Sequence, residues 1–195
     1  MNRNIILASG SANRKAVMDA LNIPYQAIPA DIDEKAIQDK DFGKRAERVA
    51  RAKAEKVASN FKDAIIISGD SYALNNGKVF EKPSSIEEAK QMLRDQSEGQ
   101  GTFYAGFCYI DQKEGINFST TLEVGFSLRK LSEDEIEKYV ESNPVLTWSG
   151  ALFPGNAYGA SMIKEIKGSL SAFIYGLPSE LLISYLQKSG VMVHP

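Results

Sequence analysis

Residues 4–21, NIILASGSANRKAVMDAL, hold a strand, a turn and the start of a helix in one short span. Ile5, Ile6 and Leu7 form an apolar run of strand length that breaks into Ala-Ser-Gly-Ser. A helical pattern follows over 12–21, with Val17, Leu21 and the small Ala16 and Ala20 on neighbouring faces. A strand that passes through such a turn into a helix is the repeating unit of an α/β domain. The same stretch raises a question of charge. Arg14 and Lys15 stand in the first helical turn, where the macrodipole is already positive and cations are mildly unfavourable. An anion seated there would remove the conflict, because the first amides of a helix are free donors. Ser9 and Ser11 add hydroxyls, and Arg14 adds a planar fork suited to phosphate oxygens. A plainer reading stands beside it, with Ser11 as N-cap and Arg14 in solvent. No Gly-Lys-Ser/Thr follows, so this is not a Walker loop.

Outward from that unit the elements keep alternating. YQAIPADI (25–32) reads as extended, interrupted by Pro29, and residues 43–59 as a strong helix rich in Ala, Arg, Lys and Glu. Ile65–Ile67 reads as a buried strand ending in Ser-Gly-Asp70-Ser, followed by a turn at 75–77 and a short return strand. Ser85 and Glu88 predict a capping box that opens a helix to about Gln96, and Ser132 and Glu135 a second one to about Glu141. TFYAGFCYID and TTLEVGFSLRKL read as long strands around a polar loop near 113–117. Residues 143–160 read as loop, ASMIKEIKGSLSAFIYG as a hairpin, and Pro178 starts a last helix to Gln187.

The chain has 195 residues, enough for one domain spanning 1–195 with a sizeable core. A net charge of −2 gives no global electrostatic case for nucleic acid or membrane, so any phosphate site must be a local cluster of cations. No apolar run approaches the ~20 residues that span a bilayer. Cys108, the single cysteine, excludes an intrachain disulfide and reads as a buried small hydrophobe in a cytoplasmic protein. His194 is the single histidine and reads as a frayed tail, which argues against Ser/His/Asp catalysis and zinc.

What remains is carboxylate and cation chemistry. Asp31, Asp33 and Glu34 cluster after an extended piece. Asp31 and Asp33, or Glu34 alone, share a face and could bind Mg²⁺, or the three form a solvated acidic turn. Asp70, at the end of a buried strand, either faces a ligand crevice or caps a turn. If buried, it needs a metal or cation beside it, since an unpaired buried carboxylate costs several kcal/mol. Of Arg45, Arg48, Arg51, Lys53 and Lys56, only one or two can turn from a solvated helix face into a cleft.

The ordered fragments LASGSxxRKxxMxxL, PADIDE, ARAKAEKV, SGDS, NGKVFEKP and GLPSELL, from about residue 4 to 187, resemble the Maf family of nucleotide pyrophosphatases. TFYAGF and the sequence after it look most similar to the branch acting on 7-methyl-GTP. The resemblance implies a long twisted mixed sheet flanked by helices, with two lobes and a central cleft. It implies hydrolysis of a nucleoside triphosphate to the monophosphate and pyrophosphate with Mg²⁺ or Mn²⁺, commonly by a homodimer. Its substrate-binding positions fall on Ser9, Ser11 and Arg14. Its acidic positions fall on Glu34 and Asp70, which would hold the metal, with Asp70 as general base. Its lysines fall on Lys53 and Lys82, a clamp on the triphosphate. Two rivals are an inosine-triphosphatase-like activity on deaminated purines and a nucleotide-sensing cell-division regulator without turnover.

Several positions depart from the family pattern. Ala12 stands where a proline is frequent, Asn13 where a second arginine is frequent, and Ser71 where Thr or Gln is usual. In the 143–159 stretch, Leu152–Gly155 replaces a Lys and a Glu, which leaves the preferred base open. Trp148 either stacks on a base or belongs to the core.

Overall fold

The computed structural model describes residues 3–75 and 77–193, so His194, and Asn76 of the expected turn, lie outside the described residues. Strand β1 (Ile5–Leu7) and the start of β3 (Ile65–Asn75) are apolar throughout because helices cover both faces of the sheet there. Alternation sorts their side chains. Ile5, Leu7, Ile65 and Ile67 meet Val17 and Met18 of α1 (Ala12–Ala20) and Leu182 and Leu186 of α7 (Ser179–Lys188). Ile6 and Ile66 meet Ala50, Ala54 and Val57 of α2 (Phe42–Ala58), together with Cys108. Burial pushes the Cys108 thiol up to about 12, as expected for a packing residue.

The seven-stranded mixed sheet runs β2-β1-β3-β5-β6-β7. β1 lies parallel to β2 (Gln26–Ala27) and to β3. From β3 through β5 (Gln100–Asp111), β6 (Ile116–Leu128) and β7 (Ile163–Lys167) each strand is antiparallel to the next, and β4 (Lys78–Phe80) pairs antiparallel with β3. Beyond Asp70 the sheet leaves these two clusters, one on each face, for a separate core. Ala73, Phe80, Val124 and Phe126 pack there against Leu93 of α3 (Ile86–Gln96), Ile136 and Tyr139 of α4 (Glu133–Ser142), Met162 of α5 (Ala157–Met162) and Phe173 of α6 (Leu170–Tyr175). The cleft opens between that core and the pair of clusters around β1. No described helix is long and apolar enough to cross a membrane.

The expected elements return with instructive exceptions. β3 does not end at Asp70 but runs on to Asn75, because Gly106 and Ala105 of β5 continue its ladder. Only Gln26–Ala27 of the 25–32 stretch is strand. Residues 143–160 hold 3₁₀ turns at Val145–Thr147 and Ser149–Ala151 and the start of α5. The expected hairpin over 160–176 is instead the end of α5, then β7 and α6: β7 pairs with β6, and Ser169 caps α6 by accepting from the Ala172 amide. The Ser85 cap is half a box: Ser85 Oγ accepts from the Glu88 amide, but the Glu88 carboxylate accepts from the Ser84 amide rather than from that of Ser85, whereas Ser132 and Glu135 form both halves.

Candidate active site

Helix α2 reaches the sheet more closely than a β-carbon allows. A Cβ at Gly106 would lie 2.2 Å from the Ala46 carbonyl oxygen. The Ser68 hydroxyl also donates to the Ala50 carbonyl, tying the helix to β3. Gly106 is the β5 partner of Asp70, so this close seating brings the buried Lys53 of α2 down beside that carboxylate. Lys53 Nζ lies 2.9 Å from Asp70 Oδ1 and 2.9 Å from Glu34 Oε2. Glu34 is delivered by a 3₁₀ turn, Glu34–Ala36, whose N-cap Asp33 accepts from the Lys35 and Ala36 amides. Asp33 is thus a cap, Asp31 is exposed, and Glu34 alone of the acidic trio faces the cleft.

Arg14 answers the charge question of the opening stretch. It turns back from α1 and is 8% exposed. Nε donates to the Gly176 carbonyl at 3.1 Å, and the two terminal nitrogens donate to Ser9 Oγ at 3.2 Å and Ser71 Oγ at 3.0 Å. Two glycines make room. A Cβ at Gly69 would come 3.0 Å from Arg14 Nε, and Gly176 holds the left-handed φ of 63° that ends α6. All three acceptors are neutral. Burial pulls the guanidinium pKa down, while Asp70 and Glu34 pull it back up, and an arginine stays charged in a protein. Ser11 is the N-cap residue, yet its side chain makes no capping bond.

The cleft is about 820 Å³ and has two unlike ends. The charged end holds Ser9–Arg14, Glu34, Lys53, Asp70 and Ser71, with Lys82 exposed on its rim. The other end is walled by Phe103, Phe126, Leu152, Phe153 and Phe173. Trp148 packs against the core cluster of this half, as the core reading expects, and also lines the cleft, on Phe153 with ring centroids 5.2 Å apart. Glu34 and Asp70 share one small volume, since both reach the same ammonium. That donor set suits a hard divalent cation, which takes a few carboxylates and completes its shell with phosphate and water. Among the described residues no group of three or more His, Cys, Asp or Glu gathers to hold a metal alone.

Ser9, Arg14, Glu34, Lys53 and Asp70 therefore come together. Ser11 joins them through its backbone, its amide donating to Ser9 Oγ at 3.2 Å, while Lys82 lines the same cleft without bonding to them. Sequence reasoning missed Ser71, Glu81, Gln96 and Gly176, and it offered Arg45 only as one of five helix cations of which one or two could reach a cleft. Arg45 lies eight residues before Lys53 and so on the same helix face. It stacks 5.2 Å over Tyr72, donates to the Ile37 carbonyl and lies 3.7 Å from Glu81 across the cleft. That spacing was a usable signal. The burial of Gln96 at a helix end carried none.

A cleft that sets two carboxylates among cations at one end and aromatic rings at the other has the chemistry that suits a phosphate ester or anhydride carrying a flat apolar group. The chain belongs to the Maf-like protein family, which matches residues 4–189. It is 33% identical to the 7-methyl-GTP pyrophosphatase of Alkalilimnicola ehrlichii, over 95% of this chain and 93% of that one. It is also 33% identical to the dTTP/UTP pyrophosphatase of Syntrophomonas wolfei, over 96% and 98%. Relatives of both names thus stand at equal identity. A HAM1 protein from Coxiella burnetii shares the fold, with a TM-score of 0.55 and 14% identity over 95% of this chain and 99% of that one.

Proposed function

We propose that this protein is a nucleoside triphosphate pyrophosphatase, releasing the monophosphate and pyrophosphate by attack of water at the α-phosphorus. The observation that carries the reading is the convergence of Glu34, Lys53 and Asp70 beside the buried Arg14, at one end of a cleft whose other end is aromatic. The names of the family relatives support the reaction class. Modified nucleotides such as 7-methyl-GTP are the substrates we favour, and the lone buried Cys108 supports a reducing, cytoplasmic setting.

Glu34 and Asp70 would hold Mg²⁺ or Mn²⁺, which when bound shields phosphate charge and acidifies water. The chain's own groups do the rest. Lys53 fixes Asp70 through Oδ1, which leaves Oδ2, free of hydrogen bonds from any described residue, to accept the proton of the attacking water. Arg14 presents a fixed positive charge beneath the phosphates, and Lys82 closes on them from the rim. The first amides of α1, uncapped by Ser11, add donors of the kind that bind phosphate.

The test is product analysis after incubation with UTP, dTTP, 7-methyl-GTP, ITP and XTP and a divalent metal. Pyrophosphate plus monophosphate is expected, and orthophosphate plus diphosphate would overturn cleavage at the α-phosphorus. Preference for ITP and XTP would move the reading to the deaminated-purine activity. Tight binding of every nucleotide without turnover would move it to a sensor.

A further inference from the structure

Gln96, the last residue of α3, is 1% exposed and belongs to the wall of the aromatic end of the cleft, near Phe103, Phe126, Leu152 and Phe173. A glutamine amide has two N–H donors and one carbonyl acceptor. Here the nitrogen is fully used. Nε2 donates to the Met92 carbonyl at 3.0 Å and to the Gly150 carbonyl at 2.8 Å. Two carbonyl acceptors on one amide atom settle which atom is nitrogen and lock the amide against rotation. Gly150 adds to the lock: its backbone, at φ 67°, lies flat under the amide, where a Cβ would stand 3.2 Å from Oε1 and 3.3 Å from Nε2.

The oxygen is therefore the atom left over. No described residue donates to Oε1. Nor is it sealed off, since among the described residues the fully buried side-chain atoms without a partner are Asn75 Nδ2 and Oδ1 and Asp111 Oδ2. A rigid acceptor in an otherwise apolar wall calls for a donor on whatever occupies that end of the cleft.

We infer that Gln96 is a specificity-determining residue whose Oε1 accepts the ring N–H of the substrate's nucleobase, N3–H of a uracil-type base or N1–H of a guanine-type base. The inference rests on the pyrophosphatase reading insofar as that reading assigns the aromatic end to the base. Uracil, thymine and guanine carry a ring N–H on this edge. Cytosine and adenine carry a lone pair at the same place, so against them Oε1 sets acceptor to acceptor. One site can then admit both a pyrimidine and a purine while rejecting the other two bases. The relatives' names, dTTP/UTP and 7-methyl-GTP pyrophosphatase, contain bases of the admitted kind alone.

The test is titration calorimetry of the full chain with UMP, CMP, GMP and AMP in Mg²⁺, for wild type and Gln96→Met. Wild type should bind UMP at least about tenfold tighter than CMP, and GMP at least about tenfold tighter than AMP, the size expected for one buried hydrogen bond made or left unmade. Gln96→Met should bring both ratios within about threefold by weakening UMP and GMP, with CMP and AMP unchanged. Equal binding of UMP and CMP by wild type, a ratio that survives in Gln96→Met, or binding of none of the four would overturn the inference. Should Gln96→Met fail to fold, wild type with N3-methyl-UMP decides: loss of about tenfold or more against UMP is expected, and equal affinity overturns the inference. Pyrophosphate release that is indifferent to the base defeats only the role of Gln96. Base-selective binding of the monophosphates with no pyrophosphate release defeats only the pyrophosphatase reading.

Discussion

The two ends of the cleft are made in opposite ways. At the charged end each working side chain is held by a different stretch of chain: Arg14 by Ser9, Ser71 and Gly176, and Lys53 by Glu34 and Asp70. At the aromatic end the walls are rings packed on rings, such as Trp148 on Phe153 and Phe103 on Phe173 at 5.5 Å, with Gln96 as the pinned exception. Ion pairs and hydrogen bonds have narrow optima in distance and angle, whereas apolar packing tolerates exchange at constant volume. On the proposed function, the first end would hold one geometry for chemistry. The second tolerates exchange, and with it the choice of base would change.

The sharpest break of this contrast is Asp70→Asn, which keeps an acceptor for Lys53 but removes the base. It should lower kcat at least about 100-fold with KM little changed, measured by pyrophosphate release. A rate near wild type would take Asp70 out of the role given to it. Arg14→Lys comes next. One ammonium cannot serve acceptors on three segments, so a loss of about 2–4 kcal/mol is expected in urea denaturation, with activity falling too. Gly106→Ala tests the seating of α2 from a distance. The added Cβ meets the Ala46 carbonyl, should cost about 1–3 kcal/mol, and should lower kcat by lifting Lys53 away from Asp70.

The aromatic end should answer differently. Trp148→Leu should raise KM by about tenfold through lost stacking while kcat stays near wild type. A fall in kcat instead would erase the division of labour. The smallest effect concerns acid. The Arg129 guanidinium and the Ser132 amide hold the Glu135 carboxyl down at about 2, against an ordinary 4.5. A depressed carboxyl stabilises the fold above its unfolded pKa and loses that contribution as pH falls through the folded one. Thermal stability should therefore decline between about pH 4.5 and 2, and Glu135→Gln should flatten that part of the profile.

The same contrast explains what was legible in the sequence. β1, α1, α2 and the early part of β3 announce themselves by period and composition, and the charged residues sit on or beside these regular elements. The i, i+8 spacing of Arg45 and Lys53 puts these two of the α2 cations on one stripe of the helix. The far side of the cleft is written in short turns and caps. Ser169, Asn156 and Gly150 set α6, α5 and the turn under Gln96, and each reads locally as loop chemistry until β6 and α3 give it something to pack on. Gly106 and Gly69 were silent for the same reason. Their necessity lies in another segment's approach, not in their own neighbours.

The ladder between β3 and β5 runs without a break from Ile65 against Asp111 to Asn75 against Gly101, threading all three hydrophobic clusters, with Asp70 near its middle. No hinge interrupts it. Neither half of the molecule can be excised and keep a working remnant, for the reacting centre exists only once the whole ribbon has zipped. Damage far out in either half is then felt as lost turnover, and the protein should melt as one cooperative unit.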